Sequence, residues 1–190
     1  MRVIMLKLFL VLAMFTGSAA AQAEVIATFY TRNFGSYFPH TFVKFDGTVE
    51  ETGEKLDTNI GFTAVSVSPG ILFGSVKGHI HAASPKYVAS SEPHFSMKLT
   101  DEKYKEFLAL AKKWQDIPGK SYNLKRRNCV HFIAEAMGLV GLKTNPKSKF
   151  LRKPIRFMQE TMALNPDVEF AIDRSVIPEK PSKKKSKKNK

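Results

Sequence analysis

The first half of the chain alternates between apolar and polar residues with the two-residue period of β-strands. Segments rich in β-branched and aromatic residues are separated by glycine, proline and charged turns. They predict strands at residues 25–34, 38–45, 56–67, 71–80 and 95–99. In the third of these segments, Asp57, Asn59 and Gly61 would share one face. The first half of the chain is therefore predicted to form a β-sheet.

The period changes to that of an amphipathic helix after Thr100. The apolar residues that recur at helical spacing are Tyr104, Phe107, Leu108, Ala111 and Trp114. Thr100 suits the N-cap of this helix, and Ile117-Pro118-Gly119 ends it. A second helix is predicted from the N-cap Asn128 to Val140. A third is predicted after Pro154, since proline fits the first helical position.

The order of these elements predicts the fold class. Strands come first, two or three helices follow, and the chain contains no internal repeat. This order is typical of an α+β fold in which an antiparallel sheet packs against the helices. Residues 24–177 have the length of one domain with a core of its own.

The N-terminal segment has the three parts of an export signal. A positive start at Arg2 and Lys7 precedes an apolar stretch at residues 8–15 and an A-x-A cleavage site at residues 21–23. The apolar stretch is shorter than the about 20 residues that span a bilayer. We therefore expect a cleaved signal peptide at residues 1–23 and a periplasmic or secreted protein.

The net charge of +13 is concentrated at the C-terminus. Seven of the 30 basic residues are lysines within residues 180–190, two lie in the predicted signal, and the rest of the chain carries +4. Residues 178–190 offer no apolar face and are predicted to be a disordered tail. The tail could attach to anionic lipid headgroups or cell-wall polymers. Nucleic-acid binding, which would depend steeply on salt, is not favoured.

The chain contains a single cysteine, Cys129, which cannot form an intramolecular disulfide. A free thiol in an oxidising compartment is a liability unless it is buried or has a function. At the first turn of a helix, Cys129 would lie among unpaired N–H groups, which favour the thiolate and can donate to a developing oxyanion. Cys129 also lies on the apolar stripe of its helix, so simple packing is the alternative.

A thiol nucleophile needs a base, which is normally a histidine. His131 lies about 200° around the helix from the thiol and is predicted to point away from it. His79 and His81 share one face of a strand, but no third ligand stands at a recognisable spacing, so we expect no metal and no cofactor. His40 opens a hydrophobic strand. The residues alone favour His40 over His81 only slightly.

Two short boxes resemble those of permuted papain-like proteins. Tyr122-Asn123-Leu124, a basic stretch and Asn128-Cys129-Val130-His131-Phe132 are similar to the cysteine box of this group. His40-Thr41-Phe42-Val43 followed by Asp46-Gly47 is similar to its histidine box, which precedes the nucleophile helix. The group includes relatives of the NlpC-type cell-wall peptidases, the lecithin:retinol acyltransferase-like proteins and several exported bacterial families. The resemblance covers about residues 39–139.

The resemblance implies roles for three residues. Cys129 would be the nucleophile, His40 the general base, and a polar residue on the next strand would hold the imidazole. Asn59 is the predicted third residue because it lies deeper in its strand, and Asp57 and His81 are the alternatives. The acyltransferase-like relatives usually carry a second histidine on this strand, and none is present here.

These observations predict an exported thiol hydrolase. Its substrate would be of the peptide or lipid type, with an amide of a cell-wall peptide first and an ester second. Acyl transfer or lipid hydrolysis is one alternative, and a catalytically inactive binding module of the same fold is another. The sequence contains nothing that decides the oligomeric state.

Overall fold

The computed structural model describes residues 24–33, 39–66 and 69–179. The strands within these ranges are β1 (Val25–Arg32), β2 (His40–Thr48), β3 (Lys55–Ala64), β4 (Gly78–His81) and β5 (Glu92–Leu99). The α-helices within them are α1 (Gly70–Phe73), α2 (Pro85–Ala89), α3 (Asp101–Gln115), α4 (Cys129–Leu139) and α5 (Pro154–Leu164). A short 3-10 helix, Arg174–Val176, follows α5.

The five strands form one sheet with the order β4-β3-β2-β1-β5. Every neighbouring pair is antiparallel. The first four strands form a meander in which each strand pairs with the next. β5 pairs with β1 along the edge that faces away from β2. The predicted α+β class with an antiparallel sheet is therefore confirmed.

One face of the sheet carries the long helices. Phe45 of β2 packs against Phe107 of α3 with ring centroids 5.3 Å apart, and Phe62 of β3 lies 4.8 Å from Trp114 of α3. Trp114 in turn contacts Phe132 of α4 at 5.5 Å. All five rings are buried. Because aromatic rings bury the largest apolar areas, they form the centre of the core.

The opposite face of the sheet holds a smaller apolar cluster. Tyr30 of β1 and Phe42 of β2 stack with ring centroids 5.2 Å apart, and Val88 of α2 packs against them. Successive side chains along a strand point to opposite faces. His40 therefore shares this face with Phe42, whereas α3 and α4 cover the other face.

The amphipathic helix predicted after Thr100 is confirmed as α3. The hydroxyl of Thr100 accepts a hydrogen bond from the N–H of Lys103 at 3.3 Å and caps the helix. The buried side chains of α3 are Tyr104, Phe107, Leu110, Ala111 and Trp114. Leu108, which the pattern placed on the stripe, is 44% exposed. The buried stripe is centred nearer to Phe107 and Trp114 than the pattern predicted.

The helices predicted from Asn128 and after Pro154 are confirmed as α4 and α5. The predicted strand ends at residues 34, 38 and 67 lie outside the described residues. The same holds for the predicted signal peptide and for residues 180–190 of the predicted tail. Among the residues that the structure does describe, no helix is both long and apolar enough to cross a bilayer.

The strand predicted at residues 71–80 is wrong over most of its length. Pro69 and Gly70 begin the short helix α1, and the extended strand starts only at Gly78. The prediction failed because a run of three apolar residues, from Ile71 to Phe73, carries no alternation that separates strand from helix. Proline also suits the start of a helix, where its missing N–H is not needed.

The short helix α2 was not predicted. Ser84 accepts a hydrogen bond from the N–H of Tyr87, and Pro85 follows at the first helical position. Serine followed by proline is a recognised start of a helix as well as of a turn. Because the helix has only five residues, its sequence shows no helical repeat of apolar positions. The dipeptide Ser84-Pro85 by itself is equally typical of a turn.

Gly78 offers a test of how tightly β4 packs on the core. A Cβ at this position would lie 2.4 Å from Cζ of Phe62 and 3.0 Å from Oγ of Ser121. Phe62 is fully buried and has little room to move. We therefore expect Gly78→Ala to lower the free energy of unfolding by about 1–3 kcal/mol. Chemical denaturation followed by circular dichroism measures the change.

Gly138 of α4 provides the matched control, because a Cβ there meets nothing within 4 Å. Alanine favours the helical backbone, so Gly138→Ala should raise the free energy of unfolding by up to about 1 kcal/mol. Equal destabilisation by both substitutions would contradict the packing described for Gly78.

Candidate active site

Cys129 is the first residue of α4, and the helix is firmly capped before it. The side-chain oxygen of Asn128 accepts hydrogen bonds from the N–H groups of Val130 and His131 at 2.8 and 3.3 Å. Its amide nitrogen donates to two carbonyls in the flanking loops, both at 2.8 Å. The start of α4, and the thiol with it, is therefore fixed from several sides.

His131 takes part in this cap. Its Nδ1 lies 3.0 Å from Oδ1 of Asn128 and 3.4 Å from the Asn128 backbone nitrogen. The ring and the Asn128 side chain together form a capping box. This structural role agrees with the prediction that His131 does not serve the thiol.

The sulfur of Cys129 lies beside strand β2. The backbone N–H groups of Thr41, of Val130 and of Cys129 itself lie near it and lower its pKa. Thr41 is the residue that follows His40. The thiol at the start of α4 and the histidine at the start of β2 are therefore held at the same end of this strand. No hydrogen bond joins the Cys129 sulfur to the His40 ring, although both residues are described.

The end of the β2–β3 ladder explains why the thiol fits there. The last residues that pair between the two strands are Val43 and Ile60, and from Gly61 to Ala64 the other edge of β3 pairs with β4. Hydrogen-bond direction alternates along a strand. Thr41 thus has the orientation of Val49, whose N–H bonds across the β2–β3 turn at 2.9 Å. The N–H of Thr41 points to the β3 side beyond the last β2–β3 pair, where it faces the sulfur of Cys129.

Burial raises the pKa of the Cys129 thiol to about 11. The N–H groups that donate to the sulfur lower this pKa, but the loss of hydration has the larger effect. Cys129 is only 4% exposed. The prediction that the helix start favours the thiolate is therefore wrong for the free protein, in which the thiol is protonated at neutral pH.

His40 occupies a half-buried position above β3. Its ring stacks on that of Phe42 with centroids 6.1 Å apart and lies 6.3 Å from the ring of Tyr87. A Cβ at Gly61 would lie 3.0 Å from Nε2 of His40. The missing side chain at Gly61 therefore provides the space that the imidazole occupies.

The pKa of His40 is lowered to about 4, first by burial and then by the charge of His81. The ring is therefore neutral at neutral pH and has a nitrogen lone pair free to accept a proton. Together with the protonated thiol of Cys129, it makes the resting pair of side chains neutral.

Asn59, the predicted third residue, lies on the same sheet face as His40, two residues before Gly61, but forms no hydrogen bond with the His40 ring. The register places Asn59 opposite Lys44, which is four residues, or about 13 Å, along β2 from His40. The Asn59 amide instead bonds to both polar main-chain atoms of Ala83, at 3.0 and 2.7 Å. The structure does not bring Asn59 to the imidazole; Asn59 holds the segment that follows β4.

Asp57, the first alternative, lies farther away still. It is paired with Asp46 in the sheet, and its carboxylate forms an ion pair with Lys44 at 2.8 Å. Lys44 also pairs with Asp46. Asp57 therefore belongs to a charged cluster at the other end of the two strands.

His81, the second alternative, is the one that the structure places near His40. It pairs with Gly61 in the β3–β4 ladder, and Gly61 lies under the His40 ring. His79 stacks on His81 with ring centroids 5.3 Å apart. Within the described residues, no group of three or more histidine, cysteine or acidic side chains could hold a metal ion.

Two residues that shape this site carry no functional signal in the sequence. Tyr87 of α2 lies against His40 and carries the Arg32 guanidinium 4.2 Å above its ring centroid. Thr41 was quoted only as part of the histidine box, although its N–H contacts the thiol. Recognising Ser84-Pro85 as a helix start would have placed Tyr87 on α2, but its contact with His40 depends on the tertiary fold.

No protein-family model, curated protein or solved structure matches this chain. The likeness of the two boxes to permuted papain-like proteins therefore stays a prediction. The functional argument depends on the side chains and their geometry.

The lowered pKa of His40 predicts how stability depends on pH. The folded state favours the neutral ring, so this stabilisation is complete above pH 6.5 and is lost as the pH falls to about 4. The unfolding free energy of the unchanged protein should therefore fall between pH 6.5 and about 4. That of His40→Gln should fall by up to roughly 3 kcal/mol less over the same range. Denaturation curves at several pH values measure it.

A direct check is the titration of the His40 ring by nuclear magnetic resonance. The midpoint should lie near 4. A midpoint near the ordinary value of 6.5 would show that the ring is hydrated, and the burial described above would then be incorrect.

Proposed function

We propose that the chain is a thiol hydrolase in which Cys129 attacks an acyl carbonyl and His40 accepts the thiol proton. The observation that carries this proposal is the position of the only thiol in the chain. It stands at the start of a capped helix and accepts the N–H of Thr41, the residue after His40. The thiol and the histidine, from distant parts of the sequence, thus lie at the same end of β2. Because the His40 side chain lies on the sheet face opposite α4, the proposed proton transfer takes place around the end of the strand.

The proposed reaction starts from a neutral pair. The thiol proton moves to the imidazole of His40 as the sulfur–carbon bond forms. The imidazolium then protonates the leaving amine or alcohol as its bond to carbon breaks, which leaves an acyl thioester on Cys129. Water, deprotonated by the same imidazole, hydrolyses the thioester and restores the thiol.

The oxyanion needs donors that lie beside the sulfur and are not bound to another protein oxygen. The N–H of Val130 is bound to the Asn128 side chain at 2.8 Å. The N–H groups of Thr41 and Cys129 point toward the sulfur and are the proposed donors to the oxyanion. Because one comes from a strand and one from a helix, their separation is fixed by the packing of α4 on the sheet.

The pKa values set a condition on this mechanism. Burial raises the pKa of the thiol and lowers that of the imidazole, and this gap between the two pKa values makes the thiolate–imidazolium pair costly in the closed site. The substrate must therefore open the site and supply polar contacts that narrow the gap. The proposed enzyme differs in this respect from thiol proteases that keep a ready-made ion pair.

The substrate class follows from the predicted export signal. An exported thiol hydrolase meets peptide amides of the cell wall first and lipid esters second. Acyl transfer requires only that an alcohol or amine replace water in the second step, so it belongs to the same proposal.

The second candidate function is a catalytically inactive binding module of the same fold. The closed state of the thiol favours it, because Cys129 is 4% exposed and its pKa is raised to about 11. A side chain that only fills space at the start of α4 would have the same properties.

An activated ester separates these two functions. The full chain is expected to form an acetyl thioester on Cys129 with p-nitrophenyl acetate, detected by intact-protein mass spectrometry. His40→Gln should slow this acylation by about 100-fold or more, because the proton then has no base to accept it. Cys129→Ser should abolish the thioester.

His79→Gln is the control, since His79 shares the sheet face but contacts neither the thiol nor the ring of His40 in the proposed mechanism. It should acylate at the original rate. If the full chain does not acylate, or if His40→Gln acylates as fast as the unchanged protein, the hydrolase proposal is wrong and the binding module is favoured.

A further inference from the structure

The short helix α1 exposes its largest apolar side chains. Phe73 is 89% exposed and Leu72 is 58% exposed, whereas Ile71 is 4% exposed and anchors the helix in the core. The exposure of two neighbouring large apolar side chains to water is unfavourable for an isolated protein. Such a feature marks a surface that meets an apolar phase or a partner.

Cationic side chains stand beside this apolar tip. Lys125, Arg126 and Arg152 line a cleft of about 350 Å³ together with Leu72 and Phe73. All three cations are exposed, and the cleft has no acidic residue in its lining. The surface therefore combines an apolar projection with uncompensated positive charge.

Hydrogen bonds hold the apolar and cationic parts together. Val76 and Tyr122 exchange two main-chain hydrogen bonds at 2.9 and 2.8 Å, and the Asn123 amide donates to Oγ of Ser75 at 3.1 Å. The cationic turn is closed by a main-chain hydrogen bond from Asn123 to Arg127 at 2.8 Å. The segment after α1 and the turn before α4 thus form one unit.

We propose that this surface docks on a bilayer that contains anionic phospholipid. The α1 patch, as we name it, consists of Leu72, Phe73, Lys125, Arg126 and Arg152. The two apolar side chains enter the boundary between headgroups and acyl chains, and the three cations contact the lipid phosphates. An anionic bilayer matches both properties at once, because it offers apolar depth directly beneath negative charge.

Two residues of the α1 patch, Lys125 and Arg126, lie in the turn that leads into α4. Docking would hold the start of α4 near the bilayer surface. The proposal goes beyond the hydrolase function and does not depend on thiol chemistry, because an inactive module could dock in the same way.

Vesicle sedimentation with the full chain tests the apolar part. We expect binding to vesicles of phosphatidylcholine with about one third phosphatidylglycerol, and little binding to phosphatidylcholine alone. Leu72→Ser combined with Phe73→Ser should weaken binding at least about tenfold. Leu108→Ser is the control, because Leu108 is an exposed apolar residue of α3. All variants keep residues 180–190, so any contribution of those lysines is common to them.

A matched pair of charge variants tests the cationic part. Arg126→Gln combined with Arg152→Gln should weaken binding by about tenfold and reduce its salt dependence. Lys112→Gln combined with Lys113→Gln removes the same charge from exposed positions on α3 and should have little effect. Equal losses from both pairs would show that only total charge matters, which would overturn the assignment to the patch.

Tryptophan fluorescence locates the contact. The natural Trp114 is the only tryptophan and is 4% exposed, so it gives a constant background. Phe73→Trp should shift its emission to the blue when anionic vesicles are added, and Leu108→Trp should not. Vesicle binding without a shift at position 73 would overturn the proposal. Self-association without lipid that Phe73→Ser abolishes would instead assign the patch to a second copy of the chain.

Discussion

The end of the β2–β3 ladder determines how the candidate site is arranged. The last paired residues of the two strands are Val43 and Ile60, and the other edge of β3 pairs with β4. One strand N–H, that of Thr41, is left for a partner outside the sheet, and the sulfur of Cys129 accepts it. This contact joins α4 to the sheet. Just beyond this point Gly61 lies under the His40 ring, and its partner in the next strand is His81.

Two opposing effects act on the thiol, and their relative size decides its state. Helix N–H groups stabilise the thiolate, whereas removal from water destabilises it more. The same removal from water keeps the imidazole of His40 neutral. Both side chains are thus kept uncharged by the packing that positions them. Any chemistry at this site has to begin with a change in hydration. The fold therefore positions the thiol and the imidazole without activating them.

Much of the fold was predictable because local signals and burial agreed. Thr100 and Asn128 begin helices in the sequence pattern and in the structure. The helix α1 was not predicted because the short apolar run that begins at Ile71 fits a strand as well as a helix. The partner of Asn59 was not predictable for a different reason: depth within a strand does not give the register, which places Asn59 opposite Lys44. The pKa of Cys129 depends on enclosure by distant segments, which no local pattern contains.

The enclosure of Cys129 also bears on the lifetime of the protein. Oxidants attack the thiolate far faster than the thiol, and they need access to the sulfur. A sulfur that is protonated and 4% exposed meets neither requirement. A chain with a single cysteine has no second thiol with which to form an internal disulfide. Slow reactivity at rest therefore protects the sulfur from irreversible damage in oxidising surroundings.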